Sequence, residues 1–193
     1  MKRIALVALL AALIFCGCGK KDEMKTPEIN KIAGATQDEM MEAAKEAGYV
    51  VVEDNKIISG GEVMDEFCKN SSEGKPCGVG ILVRYLPPDP AAYASAEVYE
   101  QEKKKYPMLF RTELYFDGEE YSCKEYNWNA DKPDSSGTYK YLKKYDEEST
   151  SFDYTEYVLV DDDNVTFQDI MNTMASSILL DHQLRFHILF MNR

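Results

Sequence analysis

The sequence predicts a single α+β domain in which about five to seven mainly antiparallel strands carry three or four helices. Three observations predict it. Residues 108–161 hold consecutive runs rich in Tyr, Phe, Val and Leu, parted by short polar turns, as an antiparallel meander does. Helical periodicity gathers instead before residue 106 and after residue 165. The stretch 36–193 is also one domain's worth of chain, enough to enclose one core.

Taken in order, Thr36-Gln37-Asp38-Glu39 is a capping box, and Met40, Ala43, Ala44 and Ala47 share a face until Gly48, which predicts a helix over 36–47. Residues 49–52 form a β-branched strand, Asp54-Asn55 a turn, and residues 56–58 the return strand of a hairpin. Gly60-Gly61 releases the chain into a second helix with an apolar stripe of Val63, Met64, Phe67 and Cys68. Residues 78–85 predict a central strand, with Gly78 and Gly80 marking close backbone approach. Asp89 and Pro90 start a third helix whose Ala92, Ala96 and Tyr99 form a small-residue face for packing on the sheet. Lys103, Lys104 and Lys105 suit its C-terminal dipole, and Pro107 stops it. The meander follows over 109–116, 120–128, 139–145 and 154–160. Thr166 and Asp169 then form a second capping box for a helix to about residue 176, with Phe167, Ile170, Met171 and Met174 inward. Residues 184–190 predict a last strand, with a helical continuation as the alternative.

Ahead of the domain, Lys2 and Arg3 precede an uninterrupted apolar run over residues 4–15, the layout of a secretory signal. As a helix this run reaches roughly 18 Å, short of the ~30 Å hydrocarbon core a permanent span must cross. Phe15-Cys16-Gly17-Cys18 looks like a lipobox, which makes residues 1–17 the signal and Cys18 the lipid carrier, Phe15 being too bulky for cleavage before Cys16. Residues 18–35 are polar, punctuated by Pro27 and Gly34, and are expected to act as a flexible tether of about 20–25 Å. The expected location is the outer face of the cell membrane, with the lipid as the sole membrane contact.

Acidic residues outnumber basic ones 34 to 22, for a net charge of −12. That surface repels phosphates, so nucleic acid is excluded as a partner. Cys68, Cys77 and Cys123 remain beside the lipidated cysteine. The polar loop between Cys68 and Cys77 makes them a candidate disulfide, a bridge worth roughly 2–3 kcal/mol; the alternative is three small buried thiols. An odd count without Cys-x-x-Cys argues against a redox or zinc centre.

No catalytic, cofactor-binding or metal-ligating set emerges. His182 and His187 are five apart and face apart on either a strand or a helix. Asp161, Asp162, Asp163, Asn164 and Asp169 invite calcium, but the run lacks the turn glycine and the distal glutamate. The individual feature is aromatic. By strand parity Tyr126 shares a face with Trp128, and Tyr139 with Tyr141 and Tyr145. Such rows either pack across strands or lie open as a surface for a protein, peptide or glycan.

Several stretches carry a likeness together: Asn55-Lys56-Ile57-Ile58-Ser59-Gly60-Gly61-Glu62-Val63, Gly74-Lys75-Pro76-Cys77 before a strand and Tyr85, Tyr106-Pro107-Met108, Tyr139-Lys140-Tyr141-Leu142-Lys143-Lys144-Tyr145, and Tyr157 through Ile170 before Ser176-Ser177. They resemble a group of small uncharacterised lipoproteins of Gram-positive bacteria. The resemblance implies a lipobox signal and a domain without an assigned reaction, substrate or site residue. From the tether, the aromatic meander and the missing catalytic machinery, the expectation is a non-enzymatic, lipid-anchored binding domain, and the alternative is a cell-envelope hydrolase working through paired Asp and Glu residues.

Overall fold

The capping box at Thr36 forms as expected: Glu39 N donates to Thr36 Oγ1 at 3.2 Å, and Thr36 N donates to Glu39 Oε2 at 3.0 Å. In the computed structural model, which describes residues 29–148, 153–175 and 184–192, this cap opens α1 (Gln37–Glu46). The expected leader, Cys18 and the first part of the expected tether lie outside the described residues, as does His182. Strands β1 (Val50–Glu53) and β2 (Lys56–Ser59) make the predicted hairpin. Asp54 (φ 49°) and Asn55 (φ 63°) both occupy the left-handed region that a tight hairpin turn demands. Gly60 (φ 76°) lies so close to the Tyr49 carbonyl that no Cβ fits there, and it launches α2 (Gly61–Ser72).

The remaining elements are β3 (Cys77–Tyr85), α3 (Ala96–Glu102), β4 (Met108–Phe116), β5 (Tyr121–Asn127), β6 (Ser135–Tyr139), β7 (Tyr141–Glu148), β8 (Asp153–Val160), α4 (Phe167–Ala175) and β9 (Phe186–Asn192). They make an α+β domain of two sheets: six strands in the order β2-β1-β3-β4-β5-β6, and three in the order β7-β8-β9. The β1–β3 pair is parallel because α2 carries the chain between them; the other pairs are antiparallel.

Alternation along each strand sorts the core into layers. One face of the large sheet (Val50, Val52, Val79, Ile81, Leu114, Cys123) packs with Met64 and Phe67 of α2 and with Leu159, Leu189 and Phe190 of the small sheet. The other face (Tyr49, Val51, Leu82, Leu109) is covered by Met40, Met41 and Ala44 of α1. The outer face of the small sheet (Val158, Val160) receives Ile170 of α4. No helix among the described residues is long and apolar enough to cross a membrane.

Four expectations need correction. The run 139–145 is not one strand: it breaks at Lys140, whose N–H donates to Val160 O at 3.2 Å, so β6 ends in the large sheet and β7 begins in the small one. With this break the described residues hold nine strands, above the predicted five to seven. The third helix does not start at Pro90. Asp89 caps only a 3-10 turn (Pro90–Ala92), Tyr93 is extended, and Ser95 caps α3, which buries no residue. Its alanines therefore face solvent, because small size permits close packing without supplying a partner. On α4 only Ile170 is buried; Met171 and Met174 are exposed. Finally, residues 29–35 are held against the domain although they read as tether. Ile29 and Ile32 pack beside α1, and Asn30 Nδ2 donates to Ala47 O at 2.9 Å. The last predicted strand, by contrast, is β9, which disposes of its helical alternative.

Burial lowers the pKa of His187 despite opposing attraction from Glu125. The unfolded chain then binds the proton more readily, so stability falls as pH drops below the ordinary histidine value of about 6.5. Urea midpoints at pH 7.5 and 5.5 are expected to differ more in the wild type than in His187→Gln; equal losses would remove this linkage.

Candidate functional site

Tyr126 and Trp128 do share a face, and that face holds the candidate site. The four-residue turn after β4 pairs Phe116 with Tyr121, and the register carries Arg111 opposite Tyr126 and Glu113 opposite Lys124. Odd residues of β4 and even residues of β5 thus point to the side covered by α1. The helix stops short of them, leaving a cleft of about 430 Å³. Its floor is Arg111, Glu113 and Tyr126; one wall is residues 31–34 with Met40, and the other is Trp128 with residues 129–131.

Each wall is fixed from below. Gly34 passes so close to the first turn of α1 that an added Cβ would lie 2.5 Å from Met40 N. Glu39 Oε2 also accepts from Ala35 N at 2.8 Å. Opposite, Trp128 N donates to Leu109 O at 3.2 Å, Ala130 N to Asn127 O at 2.9 Å, and Asn127 N to Asp134 Oδ2 at 2.7 Å. A ligand would therefore meet walls already held in place.

The floor is a linked polar group. The Arg111 guanidinium lies 4.1 Å from the Tyr126 ring centroid, a stacked cation–π arrangement. Its Nη1 donates to Glu113 Oε1 at 3.3 Å and its Nη2 to Ala130 O at 3.4 Å, both long. Tyr126 Oη donates to Glu113 Oε2 at 3.1 Å, so both oxygens of that carboxylate are engaged. Burial first, and then the bond to Glu113, push the Tyr126 phenol above its ordinary pKa. Beneath, the ring of Tyr49 lies across Gly80, the close approach expected there, although the approaching group is a side chain. Burial raises the Tyr49 phenol, and Arg111 beside it opposes that shift.

The other predicted site residues are scattered. Tyr139 faces the core between the sheets, with the Arg185 guanidinium 4.7 Å from its centroid. After the break at Lys140, Tyr141 and Tyr145 turn to the outer face of the small sheet. Tyr145 Oη donates to Val165 O at 2.6 Å and its ring meets Phe167 at 5.8 Å, an anchoring task for α4. Tyr141 is exposed. The five aromatics thus form no single row, because parity fails where a strand changes sheets.

Cys68 and Cys77 stand side by side as free thiols, with Cys77 Sγ 3.8 Å from Phe67 O. Burial pushes both up to about 11, with a further rise in Cys77 from Cys68. Cys123 is buried, and burial pushes its thiol up to about 12. In the acidic loop, Asp161 pairs with Arg185, Asp163 with Lys143, and Asp162 Oδ1 accepts from Asn164 N and Nδ2 at 2.9 Å. Among the described residues no cluster of three or more His, Cys, Asp or Glu side chains is placed to hold a metal ion.

Arg111 and Glu113 escaped sequence reading. The signal was their spacing of two on a strand, opposite Tyr126 once the turn fixed the register. Fold and cleft together define an α+β domain with a polar, aromatic-walled cavity. No protein family, curated protein or solved structure matches the chain.

Proposed function

We propose that the chain is a lipid-anchored extracytoplasmic binding domain whose ligand occupies the cleft over Arg111. One observation carries the reading. The Arg111 side chain is only 15 % exposed and lines the cleft, yet both of its Nη hydrogen bonds are long, at 3.3 and 3.4 Å. An under-satisfied buried guanidinium costs about 1–3 kcal/mol, and folding alone would be better served by an apolar side chain. A ligand oxygen supplied from the cleft accounts for its retention. The arrangement of Lys2, Arg3, the apolar run, Gly17 and Cys18 supports the anchor. The partners in this reading are the membrane through lipid alone, and a protein, peptide or glycan in the cleft.

Trp128 is the one tryptophan of the chain and lines the cleft, so its emission reports directly on occupancy. Titrating the full chain in detergent with solubilised cell-envelope fractions is expected to give a saturable change in emission that Arg111→Lys, which keeps the charge but loses the fork, weakens about tenfold. Emission unmoved by every fraction would refute the cleft. Mass spectrometry of the cellular form tests the anchor separately, and an unmodified N-terminus would refute it.

Glu113 and Asp131 sharing the cleft favour a second reading, an envelope hydrolase using paired carboxylates. Against it, Glu113 already accepts from Arg111 and Tyr126, which makes it a positioning group. Intact ligand recovered after prolonged incubation supports binding; cleavage products would support the hydrolase.

A further inference from the structure

We infer that the ligand class is a neutral oligosaccharide, one or two of whose pyranose rings sit in the cleft; this rests on the cleft being the binding site. The first argument is charge. The lining sets Lys31 and Arg111 against Glu113 and Asp131, so it offers no net charge to an anionic or cationic ligand. This balance stands out in a chain whose acidic residues outnumber its basic ones 34 to 22.

The second argument is donor and acceptor geometry. A pyranose presents adjacent hydroxyls that donate and accept at once, and planar bifunctional groups match such pairs best. The cleft has them on its floor and one wall: the Arg111 guanidinium held by Glu113, the Asp131 carboxylate and the Asn129 amide. The C–H face of a sugar ring needs a flat apolar counterpart, and Trp128 supplies one from the same wall. A volume of about 430 Å³ is at the small end of ligand cavities, matching one or two rings.

The third argument separates a glycan from an extended peptide. Peptides that dock on sheets add a strand and are held by main-chain hydrogen bonds to a free edge. Here the floor is β4 and β5, both interior strands whose main chains pair with β3, with each other and with β6. On this floor only side chains face the cleft, so a peptide finds no free strand edge to extend, whereas a sugar can be held by side chains.

The experiment uses the full chain in detergent and linear oligosaccharides of glucose, galactose, mannose and N-acetylglucosamine, two to four rings long, against mixed tetrapeptides and an acidic uronate oligomer. At least one neutral series is expected to saturate the Trp128 emission change. Asp131→Ala is expected to raise its half-saturating concentration about tenfold, since a charge-assisted hydrogen bond is lost. Asp131 and Asn129 are exposed, so these variants keep the fold, which an unchanged melting temperature verifies. Saturation by peptides or uronate with no response to the neutral series overturns the sugar inference and leaves the cleft standing. Sugar binding unaffected by both Asp131→Ala and Asn129→Ala also overturns it, since the ring would then sit elsewhere. No response to any probe or envelope fraction overturns the inference and the cleft together.

Discussion

Phe190→Ala is expected to cost about 3–5 kcal/mol of stability, the range for deleting a fully buried aromatic ring. Phe190 is 1 % exposed and stacks on Tyr157 with centroids 4.7 Å apart. Its position follows from a bulge. Val158 pairs with Ile188 but Tyr157 pairs with Phe190, so Leu189 and Phe190 both reach the core where the two sheets and α2 meet. Removing the ring opens a void with rigid strands around it, and strands collapse onto a void poorly. Urea denaturation of wild type and variant measures the loss, with a melting temperature lower by roughly 10 °C as the companion reading. Met174→Ala on the exposed side of α4 is the control and should stay within about 0.5 kcal/mol. A Phe190→Ala loss under about 1 kcal/mol would mean that the sheets do not share this core. Because Phe190 packs on the face opposite the cleft, the variant should still bind ligand below its melting temperature.

Most of the fold was legible because its signals are local. Asp54-Asn55, the two capping boxes, Gly60 and the apolar run of β3 each act within a few residues, and each element formed within a residue or two of its expected bounds. The failures are all tertiary. Nothing in Tyr139-Lys140-Tyr141 marks a strand break; the chain changes sheets there because Leu142 and Tyr139 bury in the shared core from different sheets. Ala92 and Ala96 look like a packing face, but a face needs a partner, and neither the 3-10 turn nor α3 buries a residue. Ile29 and Ile32 are too few to show a period, yet they fasten residues 31–34 as a cleft wall. Half of the site was accordingly readable: parity paired Tyr126 with Trp128, whereas Arg111 and Glu113 required the β4–β5 register.

Gly80 joins the fold to the site, and Gly80→Ala is expected to cost about 2–3 kcal/mol, an overpacking loss. The added Cβ would lie 2.5 Å from Cζ of the Tyr49 ring. That ring has nowhere to retreat, since Tyr49 is 2 % exposed and its backbone N–H is tied to Ala44 O at 2.9 Å. Displacing it pushes on Arg111 beside the hydroxyl, so the guanidinium leaves its place over Tyr126 and ligand affinity falls with stability. The two losses separate in Tyr49→Phe, which keeps the ring on Gly80 and removes only the hydroxyl. It should retain the fold far better than Gly80→Ala while still altering Trp128 emission on ligand addition. A smaller side chain at Tyr49 should in turn restore part of the Gly80→Ala loss, giving a favourable coupling in the double-mutant cycle. If Gly80→Ala is instead silent in both stability and binding, the Tyr49 ring does not rest on β3 and the floor of the cleft has no support from beneath.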